Sequence, residues 1–140
     1  MIYLAQTDTT AGFLSKNYQE INQIKGRALN TPCLITVSDF ANLRKFARVP
    51  KSQRNLVRKA KKTTFIYPNL RSIRVVKDCS HAKFLAKFGW LYSSSANLHG
   101  QKFDEKIARN LADIVVGDEF FESAPSKIVK LGRKNQKKIR

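Results

Sequence analysis

Two cations stand on either side of a glycine, as Lys25-Gly26-Arg27, where a helical pattern of apolar residues ends. Arginine offers a planar fork of N–H donors that fits a carboxylate or a phosphate, and lysine offers a mobile point charge. Lysine and arginine are also common at helix C-termini, where they complement the helix dipole. The motif therefore leaves two alternatives, an anion-binding pair or an ordinary helix end.

Three other polar groups lie next to predicted strands. The hydroxyls and carboxylate of Thr7-Asp8-Thr9 could hold a polar substrate or a metal ion, and the alternative is a turn capped by its own side chains. The run from Ser93 to Asn97 could form an anion-binding nest, or it is a plain polar loop. Ser126 adds one hydroxyl at the start of a further predicted strand.

The sequence lacks the motifs of several enzyme classes. It contains no Gly-x-x-x-x-Gly-Lys phosphate loop, no Gly-x-Gly-x-x-Gly and no Gly-x-Ser-x-Gly. Acids are scarce, and neither His81 nor His99 has a neighbour at metal-ligand spacing, so acid–base catalysis and a zinc site are both disfavoured. Any chemistry would therefore depend on positioning and on cations that stabilise negative charge.

A net charge of +17 over 140 residues dominates the composition. A field of this sign attracts polyanions such as nucleic acids and nucleotides. The hydrophobic fraction of 42% predicts one globular domain over residues 1–140. No apolar run reaches the ~18 residues of a membrane span, and Cys33 and Cys79 are lone thiols that suit a reducing compartment. These features predict a cytoplasmic protein with no membrane partner.

Apolar periodicity predicts strands that alternate with helices. Strands are predicted at residues 2–5, 33–37, 63–67, 73–76, 90–93, 114–116 and 128–129. Helices are predicted from Asn17, from Ser38 or Asp39, beyond Pro50, from Ser80 and from Asp104. Residues 6–12 and 93–100 are predicted to be turns or loops. The alternation and the short spacers predict an α/β fold with a mixed sheet flanked by helices.

Two segments contain most of the positive charge. Residues 44–62 include nine basic residues and no acid, and residues 127–140 include seven basic residues and no acid. Segment 44–62 and the tail suit contact with a phosphate backbone, and they lack the interleaved aromatic residues that base stacking requires. By composition alone, the C-terminal segment 127–140 is predicted to be a disordered basic arm.

In their order and spacing, these motifs resemble those of the YrdC/YciO family, and the chain resembles a short member of that family. The family's Thr-Asp-Thr opening is similar to Thr7-Asp8-Thr9, and its Lys-x-Arg is similar to Lys25-Gly26-Arg27. Its Ser-Ala-Asn loop resembles residues 95–97. Its Thr-x-Ile element is similar to Thr64-Phe65-Ile66, and its hydrophobic-Arg pair is similar to Ile73-Arg74. Its Pro-Ser pair is similar to Pro125-Ser126, and its late Leu-Arg pair is similar to Ile139-Arg140.

The resemblance implies a twisted open α/β sheet with a positively charged pocket, and a nucleotidyltransferase activity. L-threonine, bicarbonate and ATP with Mg²⁺ would yield threonylcarbamoyl-AMP and pyrophosphate, for the threonylcarbamoyladenosine modification of tRNA. By resemblance, the ATP-binding residues would be Lys25, Arg27, Thr64, Ser95, Asn97 and Arg140. By resemblance, the threonine-binding residues would be Thr7, Thr9, Arg74 and Ser126.

The alternative function is a catalytically weak relative that binds double-stranded RNA or tRNA. Protein partners from the tRNA-modification pathway are compatible with either function. The resemblance also implies that the tail enters the sheet and returns, so that Arg140 reaches the nucleotide. This expectation opposes the disordered arm that composition predicts.

Overall fold

The computed structural model describes residues 1–117, 119–121 and 124–140. Its strands are β1 (Tyr3–Gln6), β2 (Ala11–Ser15), β3 (Leu34–Val37), β4 (Thr63–Ile66), β5 (Ser72–Val75), β6 (Trp90–Ser95), β7 (Ile114–Val116), β8 (Lys127–Leu131) and β9 (Gln136–Lys138). Its α-helices are α1 (Tyr18–Lys25), α2 (Phe40–Arg44), α3 (Arg54–Lys59), α4 (Ser80–Ala86) and α5 (Glu105–Leu111). A single turn of 3-10 helix, Lys51–Gln53, precedes α3.

The chain divides into two compact units. Unit 1 comprises residues 1–33 and 91–124, and unit 2 comprises residues 34–90 and 125–140. Each unit therefore combines two segments that are distant in sequence, and the basic C-terminal segment belongs to unit 2. The single domain over residues 1–140 stays a prediction.

In unit 1, β1 lies between β2 and β7. It pairs antiparallel with β2, where Leu4 is opposite Phe13, and parallel with β7. Strand β2 also pairs antiparallel with β6. Leu4 and Phe13 are buried in a core that includes Ile21 of α1 and Ala108 of α5. Burial of a side chain such as Phe13 contributes roughly 1.5–3 kcal/mol, so this core fixes α1 against the strands that carry the polar motifs.

In unit 2, the strand order is β3, β5, β4, β8 and β9. The pairs β3–β5 and β4–β8 are parallel, and the pairs β5–β4 and β8–β9 are antiparallel. Phe65 and Ile73 pair across β4 and β5 and are both buried, as are Val57 of α3 and Leu85 of α4. Parallel and antiparallel pairing occurs in both units beside helices, which confirms the predicted α/β class with mixed strand pairing.

Parts of the two segments that are predicted to be turns or loops are strands, whereas residues 7–10 and 96–100 form a turn and a loop as predicted. Residues 11 and 12 belong to β2, and β6 continues past the predicted residues 90–93 to Ser94 and Ser95, where Ser95 pairs with Gly12. A β-carbon on Gly12 would lie 2.9 Å from Thr7 Cγ2 and 3.3 Å from the Ser94 backbone oxygen, so the close approach requires glycine. Glycine and alanine are depleted in strands, and pairing on both sides of β2 overrides that local preference.

The C-terminal segment is ordered, so the disordered arm predicted from composition is wrong. Ile128 and Val129 lie in β8, which pairs with β4, and β9 folds back on β8 as a hairpin. Leu131 at the end of β8 is buried. Apolar residues set between lysines anchor this segment, and an overall charge count does not reveal them.

Most of the predicted helix starts are confirmed. Asn17, Asp39 and Asp104 each accept a hydrogen bond from the backbone N–H groups of the first turn that follows. The prediction that Ser80 caps α4 is wrong, because Cys79 occupies the cap position and makes no side-chain cap bond.

Candidate functional site

The Lys25-Gly26-Arg27 motif lies where α1 ends in a tight turn. Gly26 has a φ of +71°, a left-handed conformation that glycine adopts without side-chain strain. The turn brings the backbone N–H of Arg27 back to the carbonyl oxygen of Asn22, at 3.1 Å. The two cationic side chains therefore start from fixed backbone positions on either side of the glycine.

Lys25 is buried, with only 4% of its surface exposed. Its Nζ donates to the backbone carbonyl oxygen of Ser95 at 2.6 Å. Burial, reinforced by the positive charge of Arg27, lowers the pKa of Lys25 to about 8. A lysine that only solvated a helix end would stay in water, so the ordinary helix-end alternative does not account for Lys25.

Arg27 is held by Asn22 and Cys33. Its Nε donates to Asn22 Oδ1 at 2.6 Å, and its Nη2 donates to Cys33 Sγ at 3.2 Å. Asn22 is fully buried, and its Nδ2 donates to the carbonyl oxygens of Leu29 and Thr31, each at 2.9 Å. Burial raises the pKa of the Cys33 thiol, so a neutral thiol faces the guanidinium at neutral pH.

The end of β6 and the loop after it supply a hydroxyl and an amide. Ser95 Oγ donates to Asn97 Oδ1 at 2.5 Å, and Asn97 Nδ2 donates to the carbonyl oxygen of Gln101 at 2.8 Å. The backbone N–H of His99 donates to the carbonyl oxygen of Lys25 at 3.0 Å, which ties this loop to the end of α1. We name the resulting group the unit 1 cluster: Asn22, Lys25, Arg27, Ser95 and Asn97.

Thr7 and Thr9 lie in the turn between β1 and β2, and both are buried. Thr7 Oγ1 donates to the carbonyl oxygen of Thr10 at 2.6 Å and accepts from the backbone N–H of Thr10 at 3.2 Å. The backbone N–H of Thr9 also donates to Thr7 Oγ1, at 3.3 Å. This is the side-chain-capped turn that the sequence left as an alternative, and the assignment of both residues to threonine binding stays a prediction.

Unit 2 brings Thr64, Ser126 and Arg140 together. The hydroxyls of Thr64 and Ser126 lie 3.3 Å apart, and both residues are buried. Arg140 donates from Nε to the backbone oxygen of Ser126 at 2.9 Å and from Nη2 to its hydroxyl at 3.3 Å. The backbone N–H of Arg140 also donates to the carbonyl oxygen of Ile128. The end of the tail therefore returns to the start of β8, as the resemblance implied.

Arg74 lies on the same face of the unit 2 strands as Thr64. Phe65 pairs with Ile73, and side chains alternate along a strand, so the adjacent residues Thr64 and Arg74 share the opposite face. Arg74 also pairs with Thr36 of β3, and both are buried. A row of buried polar side chains thus crosses β3, β5 and β4.

Asn22, Cys33 and Thr36 were missed by the sequence reasoning. Asn22 lies three residues before Lys25, so helical spacing alone puts the two on one face. A polar residue beside the apolar Ile21 was the available signal, and Thr36 within the apolar run of β3 was a similar one. The contact of Cys33 with Arg27 depends on the path of residues 28–32, which no local pattern predicts.

The positive charge is concentrated in unit 2. By sequence, unit 2 has 21 Lys and Arg residues and two acids, whereas unit 1 has six Lys and Arg residues and eight acids. The basic residues of segments 44–62 and 127–140 are all exposed. Ser52 Oγ donates to the carbonyl oxygen of Arg133, and Gln53 Nε2 donates to that of Asn135. The two segments therefore adjoin, and we name them together the unit 2 basic surface.

The part of the chain that the structure describes contains neither a candidate metal cluster nor a membrane-spanning helix. Within it, no group of three or more His, Cys, Asp or Glu side chains is placed to hold a metal ion. Within the same residues, no helix is long and apolar enough to cross a membrane. Cys33 and Cys79 are free thiols.

The Sua5/YciO/YrdC family model, described as "Telomere recombination", matches residues 5–140. The chain belongs to the Sua5/YciO/YrdC family. This match confirms the resemblance to YrdC and YciO proteins that the motifs indicated. Among curated proteins, none matches this sequence.

Solved structures share the fold of this Sua5/YciO/YrdC chain. P. abyssi Sua5 complexed with L-threonine has a TM-score of 0.79 and 18% identity, over 99% of this chain and 49% of that chain. E. coli YciO has a TM-score of 0.75 and 15% identity, over 99% and 82%. Full-length HypF in its phosphate- and nucleotide-bound form has a TM-score of 0.76 and 11% identity, over 99% and 26%. The chain spans about half the length of Sua5, and at these identities the likeness establishes the fold alone.

Proposed function

We propose that this chain is a threonylcarbamoyl-AMP synthase, which uses L-threonine, bicarbonate and ATP with Mg²⁺ and releases pyrophosphate. Its product would serve the threonylcarbamoyladenosine modification of tRNA. The observation that carries the proposal is the buried ammonium of Lys25 beside the fixed guanidinium of Arg27. Burying the Lys25 ammonium within the influence of a second positive charge, that of Arg27, is costly, and an anionic ligand such as a triphosphate relieves that cost.

The proposed reaction suits a site of cations without a protein base. The ammonium group of threonine first releases a proton to solvent, and the free amine then adds to the carbon of bicarbonate with loss of water, which gives a carbamate anion. A carbamate oxygen then bonds to the α-phosphorus of ATP while the bond to the β-phosphate breaks and pyrophosphate leaves. Because the carbamate is already anionic, its attack on the α-phosphorus removes no proton, and the charge on the departing pyrophosphate is what needs stabilising.

The proposed roles divide between the two units. In unit 1, Lys25 and Arg27 would contact the triphosphate, and Ser95 and Asn97 would complete its hydrogen bonds. In unit 2, Arg74 would bind the carboxylate of threonine, because its planar fork matches a carboxylate with two parallel hydrogen bonds. Thr64 and Arg140 would also bind ATP. Thr7, Thr9 and Ser126 would bind threonine. Mg²⁺ would arrive bound to the phosphates of ATP.

Two proteins that share this fold have been solved with ligands of these classes. The P. abyssi Sua5 structure contains L-threonine, and the HypF structure contains phosphate and nucleotide. Both share the fold of this chain, and the family match covers residues 5–140.

A product assay tests the proposal. The purified chain is incubated with Mg-ATP, L-threonine and isotopically labelled bicarbonate, and the products are separated and identified by mass spectrometry. We expect label in a species with the mass of threonylcarbamoyl-AMP, and none when threonine is omitted. Lys25→Met is the matched control for a contaminating enzyme. Absence of the labelled species, or equal yield from Lys25→Met, would contradict the proposal.

A second candidate function is RNA binding without efficient nucleotidyl transfer. The observation that favours it is the unit 2 basic surface, in which exposed cations of segments 44–62 and 127–140 adjoin without an acid in either segment. Such a surface suits the phosphate backbone of double-stranded RNA or tRNA. Tight RNA binding combined with a negative product assay would favour this function over the synthase.

A further inference from the structure

Asn22 is a polar side chain with no exposed surface in the middle of α1. Burying an amide costs free energy unless its donors and acceptor are satisfied. Its Nδ2 group meets two carbonyl oxygens, those of Leu29 and Thr31, and its Oδ1 accepts from Arg27 Nε. The Cys33 thiol lies 3.5 Å from the same Oδ1. The amide donors and the acceptor oxygen of Asn22 are therefore all hydrogen-bonded to residues between Arg27 and Cys33.

Arg27 is tied to Asn22 twice. The backbone N–H of Arg27 donates to the Asn22 carbonyl oxygen at 3.1 Å, and its Nε donates to Asn22 Oδ1 at 2.6 Å. With Nη2 on Cys33 Sγ, the Nε edge of the guanidinium faces the protein. Among the described residues, no protein acceptor takes a hydrogen bond from Nη1. The plane of the guanidinium is thus set by the protein while its opposite edge keeps N–H donors for a ligand.

We propose that Asn22 is the positioning residue that orients Arg27 toward a polyphosphate, an inference that rests on the proposed function for the identity of the anion. Arginine has several rotatable bonds, and fixing them before the ligand arrives removes an ordering cost from binding. The acceptor oxygen of Asn22 does this without placing a negative charge beside the anion. An aspartate at the same position would fix Arg27 equally well but would repel the ligand.

The competing role for Asn22 is to hold residues 29–31 through its amide donors, with no effect on Arg27. The two roles differ in their double-mutant cycle. If Asn22 acts through Arg27, Asn22→Leu should weaken binding of inorganic tripolyphosphate about tenfold, as expected for a misplaced charged donor. Adding Arg27→Ala should then give the same affinity as Arg27→Ala alone. If Asn22 acts only through the loop, the two losses should multiply.

A second readout needs no ligand. The side-chain Nε–H resonance of Arg27, assigned by its loss in Arg27→Lys, should show slow solvent exchange in the wild-type protein because it is hydrogen-bonded. Asn22→Leu should move it to the rapid exchange of an exposed arginine. Asn22→Asp keeps the acceptor oxygen but removes the amide donors, so it should preserve the slow exchange. Rapid exchange in the wild-type protein, or slow exchange in Asn22→Leu, would overturn the inference.

The outcomes separate this inference from the proposed function. Tripolyphosphate binding that depends on Asn22 through Arg27, together with a negative product assay, would sustain the positioning role and reject the synthase. If the product assay is positive and the losses of tripolyphosphate affinity in Asn22→Leu and Arg27→Ala multiply in the double variant, the synthase is sustained and the positioning role is rejected. Failure of the wild-type protein to bind tripolyphosphate would reject the positioning role, and the product assay alone would then decide the synthase.

Discussion

The ammonium of Lys25 lies 2.6 Å from the backbone carbonyl oxygen of Ser95, although 70 positions separate the two residues in sequence. The contact joins the last residue of α1 to the last residue of β6 within unit 1. An ammonium group has three donors, and the carbonyl oxygen satisfies one of them. The protein thus fixes the position of a buried cation and leaves donors for an anionic ligand.

The lowered pKa of Lys25 predicts proton uptake when an anion binds. Its pKa of about 8 means that, near pH 8.5, more than half of the free protein has a neutral Lys25. A bound polyphosphate favours the ammonium and raises that pKa, so binding should take up a proton at this pH and weaken as the pH rises further. Calorimetry of ATP binding in two buffers with different ionisation enthalpies measures the uptake, because the triphosphate of ATP is already fully ionised at this pH. Lys25→Met should abolish it, and equal heats in both buffers for the wild-type protein would contradict the assignment.

The left-handed turn at Gly26 predicts a localised effect of adding a methyl group. Gly26→Ala should cost roughly 1–2 kcal/mol in stability, because a β-carbon is strained at positive φ, although no atom lies within 4 Å of the added carbon. Gly117→Ala is the matched control, since Gly117 has a φ of +83° and equally open space. Urea denaturation should show similar losses for both variants. Only Gly26→Ala should also weaken tripolyphosphate binding, and equal binding by the two variants would disconnect the turn from the anion site.

The contact between Arg140 and Ser126 predicts that the last residue stabilises the C-terminal hairpin. Arg140→Ala removes two hydrogen bonds to Ser126, and since solvent competes for this exposed side chain we expect a loss of about 1 kcal/mol. Lys138→Ala is the control, because it removes the same charge from neighbouring β9. Chemical denaturation measures both. Equal stability of the two variants would mean that Arg140 contributes charge alone.

The unit 2 basic surface predicts RNA binding that depends strongly on salt and weakly on sequence. Arg54→Gln with Lys134→Gln removes one exposed cation from each of its two segments. The slope of log affinity against log salt should fall by about 2, roughly one per lost phosphate contact. Lys102→Gln with Lys106→Gln makes the same change in net charge in unit 1 and should leave the slope unchanged. Equal slopes in the two double variants would show that net charge, and not this surface, drives binding.

Local patterns predicted most elements because each has a local cause. Asn17 and Asp104 cap their helices, and β-branched residues mark β4 and β5, so these elements were visible in the sequence. Strand β2 was not, because Ala11 and Gly12 have little strand preference and the pairing partners on both sides come from elsewhere in the chain. The ordered tail was hidden for a related reason, since its apolar anchors are few and its charges are many.

The sequence predicted several of the residues that belong to the candidate site, but it did not predict the hydrogen bonds that hold them. The sequence singled out Lys25 and Arg27, and the structure adds that one is buried against β6 and the other is held by Asn22. Both contacts depend on tertiary packing, so no spacing rule could have supplied them. The resemblance assigns Thr64 and Arg140 to one ligand and Ser126 to the other, whereas in the structure the Ser126 hydroxyl lies within hydrogen-bond distance of both Thr64 and Arg140.

Pyrophosphate release is the most direct test of the central claim that Lys25 and Arg27 of unit 1 bind and activate ATP for threonine carbamoylation. The purified chain, Lys25→Met and Arg27→Ala are each supplied with Mg-ATP and bicarbonate, with and without L-threonine. We expect release by the wild-type protein only with threonine, and about ten- to a hundredfold slower release by each variant, the loss for one charge-assisted contact of roughly 1.5–3 kcal/mol. Release at the same rate without threonine, or unchanged rates in both variants, would contradict the account.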